Sequence, residues 1–159
     1  MCIRDRTVLV AGPADAITAV DPVLGSIGAK TIVTGQEPGS ASAVKLACNA
    51  WVASLTAATA QSIALVEDAG LDPRLFLDAI ADTATDSAYA QTKGPAMIAG
   101  SAETAFAVSG LVKDLGLIGR SATANGTDRT LLDALETLFT RTRDAGHAGD
   151  DIAAVRAAF

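Results

Sequence analysis

Between Pro38 and Val66 the chain reads PGSASAVKLACNAWVASLTAATAQSIALV, and Lys45 is the only charged residue in it. A segment of that length forms a helix of about 45 Å at 1.5 Å per residue, well beyond the usual helix. From Leu46 to Val66 there is no charge at all, which raises a membrane span. Against that reading, Asn49, Ser54, Thr56, Thr59, Gln61 and Ser62 interrupt the run, and many of its apolar residues are alanine, which carries little transfer energy. The spacing predicts a helix apolar on most sides, buried in a water-soluble helical core. Glu67, Asp68 and Gly70 end it, the glycine as a C-terminal cap.

Asn49 follows Lys45 by four residues, so on a helix the two side chains share a face one turn apart. A lysine on a buried helix loses solvation, which favours its neutral form, and a lysine poised nearer neutrality can move a proton. A carboxamide one turn away can bond a substrate hydroxyl or fix the amine. The same spacing also suits a lysine that snorkels to the surface beside an asparagine bonded to local backbone.

The rest of the chain falls into place around this helix. MCIRDR at the start resembles the translated end of an adapter used in preparing sequencing libraries, and is read as a non-native leader. Thr7–Val10 is predicted as a buried strand, Ala14–Ile27 as a helix with Ile17, Val20, Val23, Leu24 and Ile27 at helical spacing, and Lys30–Thr34 as a second strand. Two strands and one helix cannot make a stable sheet alone, so this β-α-β unit reads as the tail of a larger α/β sheet. After the long helix all is helical: Pro73–Asp82, a segment from Asp86 or Ser87 to Thr92 stopped by Gly94-Pro95, a short stretch at Ala96–Ala99, then Phe106–Ala124, Asp128–Ala145 and Asp151–Ala158. Asp82, Asp86, Asp150 and Asp151 read as caps.

Charge and composition exclude several classes. A net charge of −6 leaves no basic patch for nucleic-acid phosphates, and no lysine or arginine run suggests a membrane surface. Aromatics make up 4 % of the chain, so the core must be aliphatic and alanine-rich. Cys2 and Cys48 give no disulfide framework; Cys48 reads as a small buried side chain in a reducing cytoplasm. No His, Cys and carboxylate cluster has metal spacing. His147, the one histidine, sits in a glycine-rich turn and reads as a surface or capping residue, and Trp51 and Tyr89 as packing residues.

Several motifs occur together in order. GSASAVKLACN (39–49), EDAGLDP (67–73), LVKDLGL (111–117) and GHAGDDIAAV (146–155) resemble the signatures of the β-hydroxyacid dehydrogenases, the family of 3-hydroxyisobutyrate dehydrogenase and tartronate semialdehyde reductase. TVLVAG through KTIVTG resembles the last strands of that family's dinucleotide-binding domain. The resemblance implies a mostly α fold: an all-helical C-terminal domain like that of 6-phosphogluconate dehydrogenase, with a β-α-β remnant of a Rossmann domain before it. The expected division is a leader at 1–6, the Rossmann remnant at 7–37 and a helical substrate and dimerisation domain at 38–159. The resemblance further implies NAD or NADP as cofactor, a small hydroxy acid as substrate and a homodimer. Lys45 falls on the family's catalytic lysine, which takes the hydroxyl proton, and Asn49 on its partner asparagine. Lys113 falls on a lysine that reaches the nicotinamide cofactor, although Lys113-Asp114 taken by itself reads as a solvated ion pair. Gly39 falls on a motif glycine, and Ala41 stands where the second glycine would be, tightening the helix start.

The G-x-G-x-x-G fingerprint that cradles pyrophosphate is not in the sequence. The expectation is therefore a truncated copy holding half of an active site. Two rival readings are an imine reductase of the same architecture, which Lys45 disfavours, and a non-catalytic helical assembly module. Hydride transfer requires the cofactor held against the substrate, so this polypeptide alone should oxidise no hydroxy acid with NAD or NADP faster than its own Lys45→Ala variant. Measured turnover above that control would contradict the expectation.

Overall fold

The computed structural model describes residues 6–159, and the expectations for Cys2 and most of the leader fall outside them. The chain divides into two compact units, one ending at Cys48 and the other Asn49–Phe159. In the first, strand β1 (Thr7–Ala11) leads through helix α1 (Ala14–Ile27) to strand β2 (Lys30–Gly35). The strands pair in parallel, Thr7 opposite Lys30 through Val10 opposite Val33, with a register shift before Ala11 and Gly35. Parallel neighbours need a crossover, and α1 supplies it. No residue of α1 is buried, and Val23 and Val33 are more than half exposed. The unit is a small two-stranded Rossmann remnant with little core of its own.

Helix α2 comprises Ser40–Asp68. Its buried positions, Asn49, Ala53, Thr56, Ala57, Thr59, Ala60, Ile63 and Ala64, recur every three or four residues and so form one stripe. The burial on most sides expected from the lack of charge is not found. Cys48 is exposed, and Trp51 is 64 % exposed and not a packing residue. Two residues of helix turn a side chain by about 200°, which sets Trp51 opposite Asn49. A segment without charges can still have a wet face, because alanine, serine and threonine tolerate water on one side and close packing on the other.

The second unit continues with α3 (Arg74–Ile80), α4 (Ala88–Ala99), α5 (Val108–Asn125), α6 (Thr130–Thr142), a π-helical turn at Arg143–His147 and a closing 3-10 helix, Ile152–Ala158. Gly94-Pro95 does not break α4 as expected; the helix runs through both. The usual clash before proline involves the preceding Cβ, which Gly94 lacks. A Cβ there would also stand 2.7 Å from Leu77 of α3, so the glycine admits the neighbouring helix as well. The core is mostly aliphatic: Ile63, Leu77, Val108, Leu111, Leu115, Ile118, Leu135, Ile152 and Val155 are buried, together with Met97 and the fully buried Phe139. No helix among the described residues is long and apolar enough to cross a membrane.

Asp151 joins this unit together. It is 2 % exposed. One carboxylate oxygen accepts from Lys93 Nζ of α4 at 2.7 Å and from the Ala153 N–H at 3.0 Å; the other accepts from the Ala105 and Phe106 N–H groups at 3.0 and 3.3 Å. It therefore caps the closing helix, the role the sequence suggests for Asp150 and Asp151 alike. Asp150 instead pairs with His147, Oδ2 to Nδ1 at 2.7 Å, in the surface turn expected for that histidine. Burial by itself raises the Asp151 carboxyl, but the Lys93 ammonium and the three backbone N–H groups outweigh it and hold the group below the ordinary carboxylate value. On falling pH the unfolded chain then takes up this proton first, near a pKa of about 3.9, so stability drops as the pH passes below that value. Asp86, Asp128 and Asp144 are also lowered by surface hydrogen bonds. Urea unfolding of Asp151→Asn should show lower stability at neutral pH and a shallower loss between about pH 4 and 2 than the wild type. An unchanged acid slope would assign that loss to the surface carboxylates.

Candidate functional site

Helical spacing decides which of the expected site residues meet. Asn49 opens the buried stripe of α2 and is 7 % exposed. On α5 the buried residues Leu111, Leu115 and Ile118 define the inward face. Asp114 lies three residues after Leu111 and four before Ile118, so its carboxylate emerges at the edge of that face, while Lys113 is turned outward. The Asp114 side chain is 16 % exposed and that of Lys113 72 %. Asn49 Nδ2 donates to Asp114 Oδ2 at 2.7 Å, and Lys113 Nζ stands 3.1 Å from Asp114 Oδ1. Two of the three expected residues, Asn49 and Lys113, are thus held by one carboxylate that sequence reasoning set aside as half of a solvated pair. The signal that marks it is a carboxylate at helical spacing among buried leucines.

Lys45 precedes Asn49 by four residues on the same unbroken helix, and its side chain is exposed rather than buried as expected. Tyr89 meets α2 farther along, its hydroxyl 2.7 Å from Thr56 Oγ1. Burial raises the Tyr89 phenol, the Thr56 hydrogen bond works against that, and the Asp151 charge adds to the rise. The phenol is a packing group with a satisfied hydroxyl, as expected for it.

A nicotinamide dinucleotide requires donors for its pyrophosphate and for its nicotinamide end. The turn before α1 is not a pyrophosphate cradle: the Gly12 N–H donates to Gly35 O at 3.0 Å, and Pro13, at the helix start, has no N–H. Lys113 is an exposed amine whose Nζ is paired with Asp114 Oδ1, and its donors suit a polar edge of such a cofactor. The described residues therefore fit one end of the cofactor and not its phosphates.

Residues 39–158 match the family model described as NAD-binding of NADP-dependent 3-hydroxyisobutyrate dehydrogenase. The chain is 30 % identical to the L-threonate dehydrogenase of Cupriavidus necator over 95 % of its own length and 51 % of that protein. Among solved structures it is similar to 3-hydroxyisobutyrate dehydrogenase from Salmonella typhimurium, with a TM-score of 0.85 and 28 % identity over 94 % of this chain and 52 % of that one. The fold is shared also with Mycobacterium tuberculosis 3-hydroxyisobutyrate dehydrogenase, TM-score 0.85 at 24 % identity, over 95 % of this chain and 54 % of that one. The chain spans about half the length of the relatives it matches.

The Asn49–Asp114 contact is a charge-assisted hydrogen bond in a half-buried place, of a kind that contributes about 1.5–3 kcal/mol. Asn49→Ala and Asp114→Ala should each lower stability in urea by about 1–3 kcal/mol, and the double variant by less than the sum, because both remove the same bond. Lys113→Met should change stability by no more than about 1 kcal/mol, as an exposed ion pair does. Additive losses from the first two would mean that the bond is not formed in solution.

Proposed function

Because this chain belongs to the family of NADP-dependent 3-hydroxyisobutyrate dehydrogenase, we propose that it carries the proton-moving, substrate-facing part of an NAD(P)-dependent dehydrogenase of small hydroxy acids. The observation that carries this reading is the family match over residues 39–158, within which Lys45 and Asn49 stand four residues apart in sequence. The substrate class is a short acid with a hydroxyl near its carboxylate. Relatives named for 3-hydroxyisobutyrate and for L-threonate support that class without choosing within it.

When bound, a nicotinamide cofactor would supply the hydride chemistry at the carbinol carbon. The chain's own residues manage the proton. The Lys45 amine, in its neutral form, accepts the hydroxyl proton as the C–O bond becomes a carbonyl, and gives it back in the reverse direction. Asn49 places the hydroxyl for that transfer. Lys113 would hold the nicotinamide end of the cofactor. Lys45 is exposed in this chain, so on this reading the wall that encloses it, and the phosphate cradle with it, belong to a dinucleotide-binding half that the described residues do not supply. The chain alone is then inactive. A second copy packs against the helical unit, where Trp51 and Leu65 stand exposed on α2.

The test joins a dinucleotide-binding domain with a G-x-G-x-x-G turn ahead of Thr7 and follows NADP-dependent oxidation of 3-hydroxyisobutyrate. Lys45→Ala should reduce kcat by about 10²- to 10⁴-fold, the range for loss of a positioned acid–base group. A joined enzyme whose rate ignores that change would exclude the lysine as the proton carrier. Turnover kept in both Lys45→Met and Asn49→Ala would favour a non-catalytic helical module.

A further inference from the structure

We propose that Asp114 is the positioning residue of this site: its carboxylate fixes which end of the Asn49 carboxamide is offered to a hydroxy acid, and its other oxygen restrains the Lys113 amine. The inference rests on the dehydrogenase reading and deepens it.

An ionised carboxylate only accepts hydrogen bonds, whereas a carboxamide donates at nitrogen and accepts at oxygen. With Asp114 Oδ2 at 2.7 Å, only the Nδ2 end of Asn49 can face it. The flipped amide would set two acceptor oxygens against each other in a place where Asn49 is 7 % and the Asp114 side chain 16 % exposed. The amide is therefore locked with its carbonyl oxygen turned away from α5. Asp114 itself is firmly held. It stands on a helix, between Leu111 and Ile118, both buried, and side chains carried by packed helices are placed more accurately than those on loops.

Its second oxygen lies 3.1 Å from Lys113 Nζ. One carboxylate thus sets the relative places of the amide assigned to the substrate and the amine assigned to the cofactor. Packing alone does not call for such a group. Two apolar side chains would fill the space without desolvating a carboxylate. What the carboxylate adds is direction.

The experiment uses the full chain, ¹⁵N-labelled, and reads the Asn49 Nδ2 proton pair by NMR in the wild type, Asp114→Asn and Asp114→Ala. In the wild type one proton of the pair should be displaced downfield. Asp114→Asn keeps an acceptor oxygen and should retain the displacement; Asp114→Ala should lose it while backbone signals of the core stay in place. Should Asp114→Ala not fold, Asp114→Leu takes its place. Each protein is then joined to the dinucleotide-binding domain ahead of Thr7 and titrated with 3-hydroxyisobutyrate in the presence of NADP. The Asn49 signals should respond in the wild type and Asp114→Asn, with the apparent Kd raised at least tenfold in Asp114→Ala, a change of about 1.4 kcal/mol. An Asn49 pair that is the same in all three proteins overturns the inference. Equal affinity with and without the carboxylate overturns it too and leaves the dehydrogenase reading intact. No response to the hydroxy acid in any of the three removes that reading, and the inference with it.

Discussion

The helical unit depends on a single buried carboxylate. Asp151 brings together α4 through Lys93, the segment before α5 through the Ala105 and Phe106 N–H groups, and the closing helix through Ala153. Backbone bonds on either side follow from that placement: Ile152 N–H to Phe106 O and Val108 N–H to Asp150 O, both at 2.9 Å. A charge taken this far from water is tolerable only when its lone pairs are all met, and here four donors meet two oxygens. The same bonds that make the burial tolerable give the chain's last segment its position.

Asp114 uses similar chemistry toward a different end. It too is a carboxylate at the edge of an apolar face, and it too joins separate elements, α2 through Asn49 and its own helix through Lys113. Asp151 is sealed and its partners are mostly backbone. Asp114 faces outward enough to hold an exposed amine, and its other partner is a side chain whose orientation has chemical meaning. The contrast is between a sealed carboxylate met mostly by backbone and one at the rim met by side chains.

The order of elements and the type of most of them were legible from hydrophobic period and turn residues. The β-α-β opening, the long helix, and the helices built on Leu111, Leu115 and Ile118 and on Leu135 and Phe139 all stand close to where spacing puts them. Gly94-Pro95 misled because punctuation residues are read locally, whereas the glycine at 94 answers to Leu77 on another helix. Cys48 and Trp51 misled because a stretch without charge does not say how many of its sides are covered. Of the site, the lysine, the asparagine and the second lysine stood out as residue types in a motif. The carboxylate between the latter two did not, because Lys-Asp in sequence looks the same whether its aspartate faces water or a buried amide.

By itself, then, the amino-acid order determined the helical register. Asn49 falls one turn after Lys45 and Asp114 beside Leu115, because 3.6 residues per turn and the placing of apolar residues are properties of the chain. Which buried group Asp114 meets, which of two neighbouring aspartates goes inside, and which face of α2 stays wet were decided only when the helices packed. Those outcomes depend on distances between segments far apart in sequence, 65 residues for Asn49 and Asp114 and 58 for Lys93 and Asp151. Local periodicity carries no record of such distances.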